Sequence, residues 1–234
     1  STPGDGSTTD DDDDSVTITV ADTTTDLGDL PDSYGTLIAS DGARHVITGL
    51  YLGSSIDAES DGQPGANADG DDTTTSDDEN GVTRNPDFWV PNADVTLAIT
   101  VTGGNGRLLG WIDWDSSGSF GAGEAIDFGQ LAAGGHTATL TVPADYTTGT
   151  ALYARFRLFD PDNLPGGSLT AASGGLASGG EVEDYYWTFS GATNITLQDF
   201  DAVPNTAVAL WWLWLLLPLS LAALGWRRRQ IENR

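Results

Sequence analysis

Twelve consecutive residues, Asp113 to Glu124, carry the sharpest chemistry in the chain: Asp-Trp-Asp-Ser-Ser-Gly-Ser-Phe-Gly-Ala-Gly-Glu. Acids stand at positions one and three, a hydroxyl at five, Gly at six, an apolar residue at eight and Glu at twelve. That is the ligand spacing of an EF-hand calcium loop, with Ser at the fifth position. Ca²⁺ takes six to eight oxygens, so ligands must converge from a tight turn, and Gly118 stands at the residue that bends. The ligands expected are Asp113, Asp115, Ser117, the carbonyl of Ser119 and Glu124. Ser117 is a weaker donor than Asp, which implies modest affinity. The competing reading is a polar hairpin whose Asp and Gly residues serve only the turn.

A second constellation joins two segments. Glu181 and Glu183 lie two apart in Gly-Glu-Val-Glu-Asp-Tyr (180–185), and Arg155 and Arg157 two apart in Ala151–Phe159. Residues i and i+2 of a strand share a face. The matched spacing predicts cross-strand ion pairs of Arg155 and Arg157 with Glu181 and Glu183 that pin register; a metal or ligand role for the acids is the alternative. A diffuse third cluster lies between 57 and 81, with Asp57, Glu59, Asp61, Asp69, Asp71, Asp72, Asp77, Asp78 and Glu79 among Gly, Asn and Thr. It suits Ca²⁺ or a solvated acidic loop. His45 and His136 each stand alone in an extended segment and read as surface-strand residues. Neither has a visible nucleophile or orienting partner, so no catalytic residue is assigned and an enzyme is not expected. Gly103-Gly104-Asn105-Gly106 reads as a hairpin turn.

These residues need strands to position them. Asp94–Thr102 and His136–Val142 alternate; Arg107–Trp114 follows a turn; Ala151–Phe159 puts Leu152, Ala154, Phe156 and Leu158 on one face; Val182–Phe189 ends the series. Short strands between Gly, Pro and Asp turns predict an all-β sandwich, Ig- or jelly-roll-like. The organisation expected is an acidic linker over 1–26 with a possible strand at 15–20, an irregular Asp/Gly-rich segment over 27–87, the sandwich over 88–190, and a linker over 191–206. Ala207–Trp226 follows as 20 uncharged residues, then a basic tail over 227–234. Twenty residues of helix span about 30 Å, the thickness of a hydrocarbon core. With Arg227, Arg228 and Arg229 next, this reads as a transmembrane helix with its tail in the cytoplasm and the rest outside.

The chain has 234 residues, 35 acids, nine arginines and no lysine, for a net charge of −26. Residues 1–206 hold 34 of the acids against five arginines, a net of −29. Such a segment repels phosphate backbones, which argues against nucleic-acid binding, and attracts cations. Cysteine is absent, so disulfides, thiolate metal sites and cysteine nucleophiles are excluded. With Ser at position 1, the chain reads as a mature form or the C-terminal piece of a longer product.

The strings WIDWDSSGSFGAGE (111–124), YARFRLF (153–159) and GEVEDY (180–185) together resemble the GEVED domain of bacterial surface proteins. The upstream block 27–82 resembles the Asp-rich segment that often precedes it. The resemblance implies an extracellular β-sandwich in large secreted or anchored proteins, with no single activity attached. The C-terminus resembles a bacterial sorting tail, although no LPxTG string is present. The function expected is a membrane-anchored, calcium-stabilised structural or adhesive module at a bacterial cell surface. Its partners would be the membrane through 207–226 and other surface proteins or polysaccharide. The alternative is a carbohydrate-binding module using Trp89, Tyr153, Tyr185 and Trp187.

Overall fold

Nine residues of strict alternation build the centre of one sheet. In β5 (Asp94–Thr102) the β-branched and leucine side chains Val95, Leu97, Ile99 and Val101 are buried, while the residues between them face outward. The computed structural model describes residues 24–70, 77–164 and 169–189. Along one edge of β5 runs β8 (Gly134–Thr141), antiparallel. Along the other, β3 (Tyr51–Leu52) and β4 (Val82–Asn85) lie end to end, pairing with 101–102 and 96–99 respectively.

The second sheet has the order β11-β9-β6-β7. Its strands are β6 (Gly106–Ile112), β7 (Ala125–Leu131), β9 (Leu152–Phe159) and β11 (Gly180–Trp187). Leu108, Ile112, Leu152, Ala154, Phe156, Leu158 and Trp187 share one apolar core with the inward residues of β5. The described residues are thus mainly β, with two sheets closed over a common core.

A third, small sheet orders β1 (Thr25–Leu27), β2 (Arg44–Val46) and β10 (Leu176–Ala177), with β10 parallel to β2. A second core lies on the far face of the β11-β9-β6-β7 sheet. It gathers Leu30, Tyr34, Leu109, Trp111, Phe120, Phe159, Ala172 and Ala177. That sheet is therefore covered on both faces, and seven of the eight residues of β9 are buried.

This double covering departs from the organisation expected. The segment 27–87 supplies β2, β3, β4 and the last residue of β1. Between β3 and β4 the described stretches 53–70 and 77–81 lack regular structure. The possible strand at 15–20 and the apolar run 207–226 lie outside the described residues. Among the described residues no helix is long and apolar enough to cross a membrane.

Candidate functional site

The loop between β6 and β7 is held by its own carboxylates. Asp113 Oδ1 accepts the Ser117 amide at 3.0 Å, and Oδ2 accepts the Gly118 amide at 3.0 Å and the Tyr34 hydroxyl at 2.5 Å. Asp115 Oδ1 also accepts the Ser117 amide, at 3.0 Å. Glu124 accepts the amides of Trp114 at 2.8 Å and Gly121 at 2.6 Å. Ser116 and Gly118 take positive φ, 57° and 83°, which turns the chain back on itself. The Ser117 hydroxyl donates to the Ser119 carbonyl at 2.9 Å, so two more expected ligands are adjacent.

Asp113, Asp115 and Glu124 each bring one oxygen within 4.8 Å of the others. Asp113 and Glu124 are buried and Asp115 is exposed. Among the described residues no arginine pairs with any of the three; the ion pairs there are Arg44–Asp41, Arg107–Asp127 and Arg155–Asp184. Burial raises Glu124 above the usual carboxylate range, amides of Gly121 and Trp114 oppose this, and the charges of Asp113 and Asp115 add to the rise. Asp115 is lowered by the Ser117 hydroxyl and amide. An all-oxygen donor set on a turn fits a hard divalent cation.

Strand β11 corrects the expected ion pairs. Glu181 stands opposite Leu158 and Glu183 opposite Phe156, while Arg155 faces Asp184 and Arg157 faces Val182. Directly opposed residues of an antiparallel pair share a face. Glu181 and Glu183 therefore project on the side of Leu158 and Phe156, and the two arginines on the other. Asp184 is the partner sequence reasoning missed: Arg155 Nε and Nη2 bind its two oxygens at 2.7 and 2.8 Å, fully buried. Arg155 Nη1 also donates to the carbonyls of Tyr34, Gly35 and Ser173. Among the described residues Arg157 makes no carboxylate contact within ion-pair distance. It donates to His45 Nε2 at 2.9 Å and to the carbonyls of Arg44, Ala172, Gly174 and Gly175.

The carboxylates of β11 bind backbone instead. Asp184 Oδ2 accepts the amides of Asp29 at 2.9 Å and Leu30 at 3.0 Å. Glu181 Oε2 accepts the Leu52 amide. Glu183 Oε1 accepts those of Asn80 at 3.1 Å and Gly81 at 2.7 Å. The Tyr185 hydroxyl donates to Glu183 and accepts the Val82 amide, both at 3.0 Å. In return the Val182 amide donates to Asp26 at 2.6 Å. The strand is a row of acceptors that captures the polypeptide upstream of residue 83. Burial drives Asp26, Glu59, Glu181 and Glu183 above the usual carboxylate range, Glu59 to about 9.

Other expectations divide. His45 is fully buried rather than on a surface strand, while His136 is half-buried and contacts the Ala132 carbonyl. The 57–81 acids separate: Glu59 and Asp78 are buried, Asp61 and Asp69 are exposed, and Asp71 and Asp72 lie outside the described residues. Trp89 and Trp187 belong to the core, so they do not form an exposed aromatic row with Tyr153 and Tyr185. The GEVED domain family model matches residues 107–188. No curated protein and no solved structure matches the chain.

Proposed function

We propose that the chain, whose residues 107–188 form a GEVED domain, is a calcium-stabilised structural or adhesive module. Its setting would be the outer surface of a bacterial cell. The observation that carries this reading is the use made of the motif. Glu181, Glu183, Asp184 and Tyr185 are engaged in holding upstream backbone and Arg155. They are placed to maintain architecture rather than to meet a substrate. The arrangement of strands supports an Ig- or jelly-roll-like sandwich. The Asp113–Glu124 loop would hold Ca²⁺ through Asp113, Asp115, Ser117, the Ser119 carbonyl and Glu124. Extracellular modules bind Ca²⁺ with Kd of about 10⁻⁴–10⁻³ M. At tenfold excess over Kd the ion adds about 1.4 kcal/mol.

Thermal melting with and without Ca²⁺, against Asp113→Ala and Glu124→Ala, tests the loop. A rise in wild type that both variants lose is expected; no rise in wild type, or a full rise in both variants, removes the loop from the reading. The external location rests on the run 207–226 and its Arg triplet. Protease added to intact cells should therefore cleave before residue 200, and protection there would contradict it.

A carbohydrate-binding role has one observation in its favour. Tyr153 and Tyr186 are half-buried, their ring centroids 4.8 Å apart, and they border a hollow shared with Asp113, Ser116 and Gly118. Loss of polysaccharide retention in Tyr186→Ala would favour that reading.

A further inference from the structure

A second group of carboxylates meets far along the chain from the Asp113–Glu124 loop. Asp26 of β1, Asp78 ahead of β4 and Glu181 of β11 are all buried, and each brings an oxygen within 4.8 Å of the others. Three separate stretches of chain supply them, so no local turn accounts for the convergence. Glu181 adds an independent observation. Its Oε2 is bound by the Leu52 amide, but Oε1 is buried with no hydrogen-bond partner. A buried acceptor without a donor is costly and rare in native folds. Among the described residues neither Asp26 nor Glu181 forms an ion pair with an arginine. Arg157 is occupied by His45 and four carbonyls.

We infer that Asp26, Asp78 and Glu181 form a second divalent-cation site, buried between the amino-terminal segment and the GEVED strand, that takes Ca²⁺. The donors are carboxylate oxygens, which select a hard cation over a soft one. Oxygens bound to one Ca²⁺ at 2.3–2.6 Å lie up to about 4.6–5.2 Å apart, so a single ion reaches all three. Outer contacts already orient the ligands: the Val182 amide on Asp26, the Asp57 amide on Asp78 at 2.9 Å and the Leu52 amide on Glu181. Carbonyls or water complete the shell. The ion fastens β1 and the chain before β4 to β11. This site shares no ligand with the Asp113–Glu124 loop, and the two stand or fall separately.

The test is bound calcium per full-length chain, measured by atomic emission after EDTA treatment and dialysis against Ca²⁺. Glu181→Gln keeps the shape and the acceptor for the Leu52 amide. It should lower the count by one, both in wild type and in Asp113→Asn/Glu124→Gln, and Asp26→Asn should do the same. Melting gives a second readout. In EDTA, Glu181→Gln should melt no lower than its parent, because it removes a buried charge. In Ca²⁺ it should melt lower, having lost the ion. An unchanged count in Glu181→Gln, or an undiminished calcium-dependent rise in its melting temperature, overturns the proposal. If Asp113→Asn/Glu124→Gln binds as much calcium as wild type, the loop fails and this site survives. If that double variant binds none, the buried site is wrong.

Discussion

Gly180, the first letter of the family motif, sits at φ +110°, and a Cβ there would lie 1.6 Å from the Leu158 carbonyl oxygen. Both the conformation and the contact demand glycine. Gly180→Ala should lower the unfolding free energy by about 2–4 kcal/mol in urea titrations. Gly28 is required by contact alone, since its Cβ would fall 2.2 Å from Asp184 Oδ2. His45 is set by its two contacts. The Gly179 carbonyl, 2.9 Å from Nδ1, only accepts, and the Arg157 Nε–H at Nε2 only donates. The ring must be the neutral Nδ1–H tautomer. Burial first, then the Arg157 charge, hold its pKa well below the ordinary value, opposed by the Gly179 bond. Asp26 is its cross-strand neighbour. The unfolded chain takes up the proton near pH 6.5 while the folded chain resists, so this stability is complete above about 6.5 and falls as pH drops below it. His45→Gln preserves a donor and an acceptor but does not titrate. The wild-type-minus-variant stability difference should therefore decline with acidification, by up to about 1.4 kcal/mol per pH unit. A flat difference between pH 7 and 5 would show that His45 does not titrate as described.

Strands β11 and β9 bury polar groups on both faces, Glu181 and Glu183 beside Leu158 and Phe156, and Arg155, Arg157 and Asp184 on the other. The buried Arg155–Asp184 pair is the clearest case. Asp184→Ala leaves a guanidinium buried with only carbonyl and hydroxyl acceptors, and should cost about 3–5 kcal/mol. Arg155→Met/Asp184→Leu should recover part of that loss in the same urea titrations; a single-variant loss under 1 kcal/mol would mean that solvent reaches the pair. At this scale the sequence was partly legible. The strands β5, β6, β8, β9 and β11 follow from alternation and turn residues to within a residue or two. Strands β1, β3, β4 and β10 are two to four residues long, and partners remote in sequence induce them. The pairing of Arg155 and Arg157 with Glu181 and Glu183 failed on parity. Spacing of two identifies which residues share a face, but only register says which face, and a shift of one exchanges them. The Asp113–Glu124 ligands were readable because they are contiguous. The Asp26–Asp78–Glu181 group was not, because the fold brings together residues from three segments.

For the molecule as a whole, the family match begins at residue 107, yet the groups its motif binds lie upstream at Asp29, Leu30, Leu52, Asn80, Gly81 and Val82. The matched stretch thus uses its buried acceptors on backbone outside itself. A chain lacking residues 1–53 should lose dispersed amide signals in nuclear magnetic resonance spectra and cooperative melting; a cooperative, well-dispersed fragment would show that the upstream cover is dispensable. The bond from the Asp29 amide to Asp184 spans 155 residues. A ribosome delivers the acceptor row after every backbone group it binds, and a chain crossing a membrane amino-terminus first would present it in the same order. Until then the amides of Asp29, Leu30, Leu52, Asn80 and Gly81 lack the acceptors they hold in the folded chain. Such long-range closure makes folding slow, because loop entropy is lost before any contact rewards it. The density of aspartate in that waiting stretch then has a second consequence: like charges on neighbouring copies repel one another during the delay, and β11, the last of the described strands to arrive, decides when this part of the chain finishes folding.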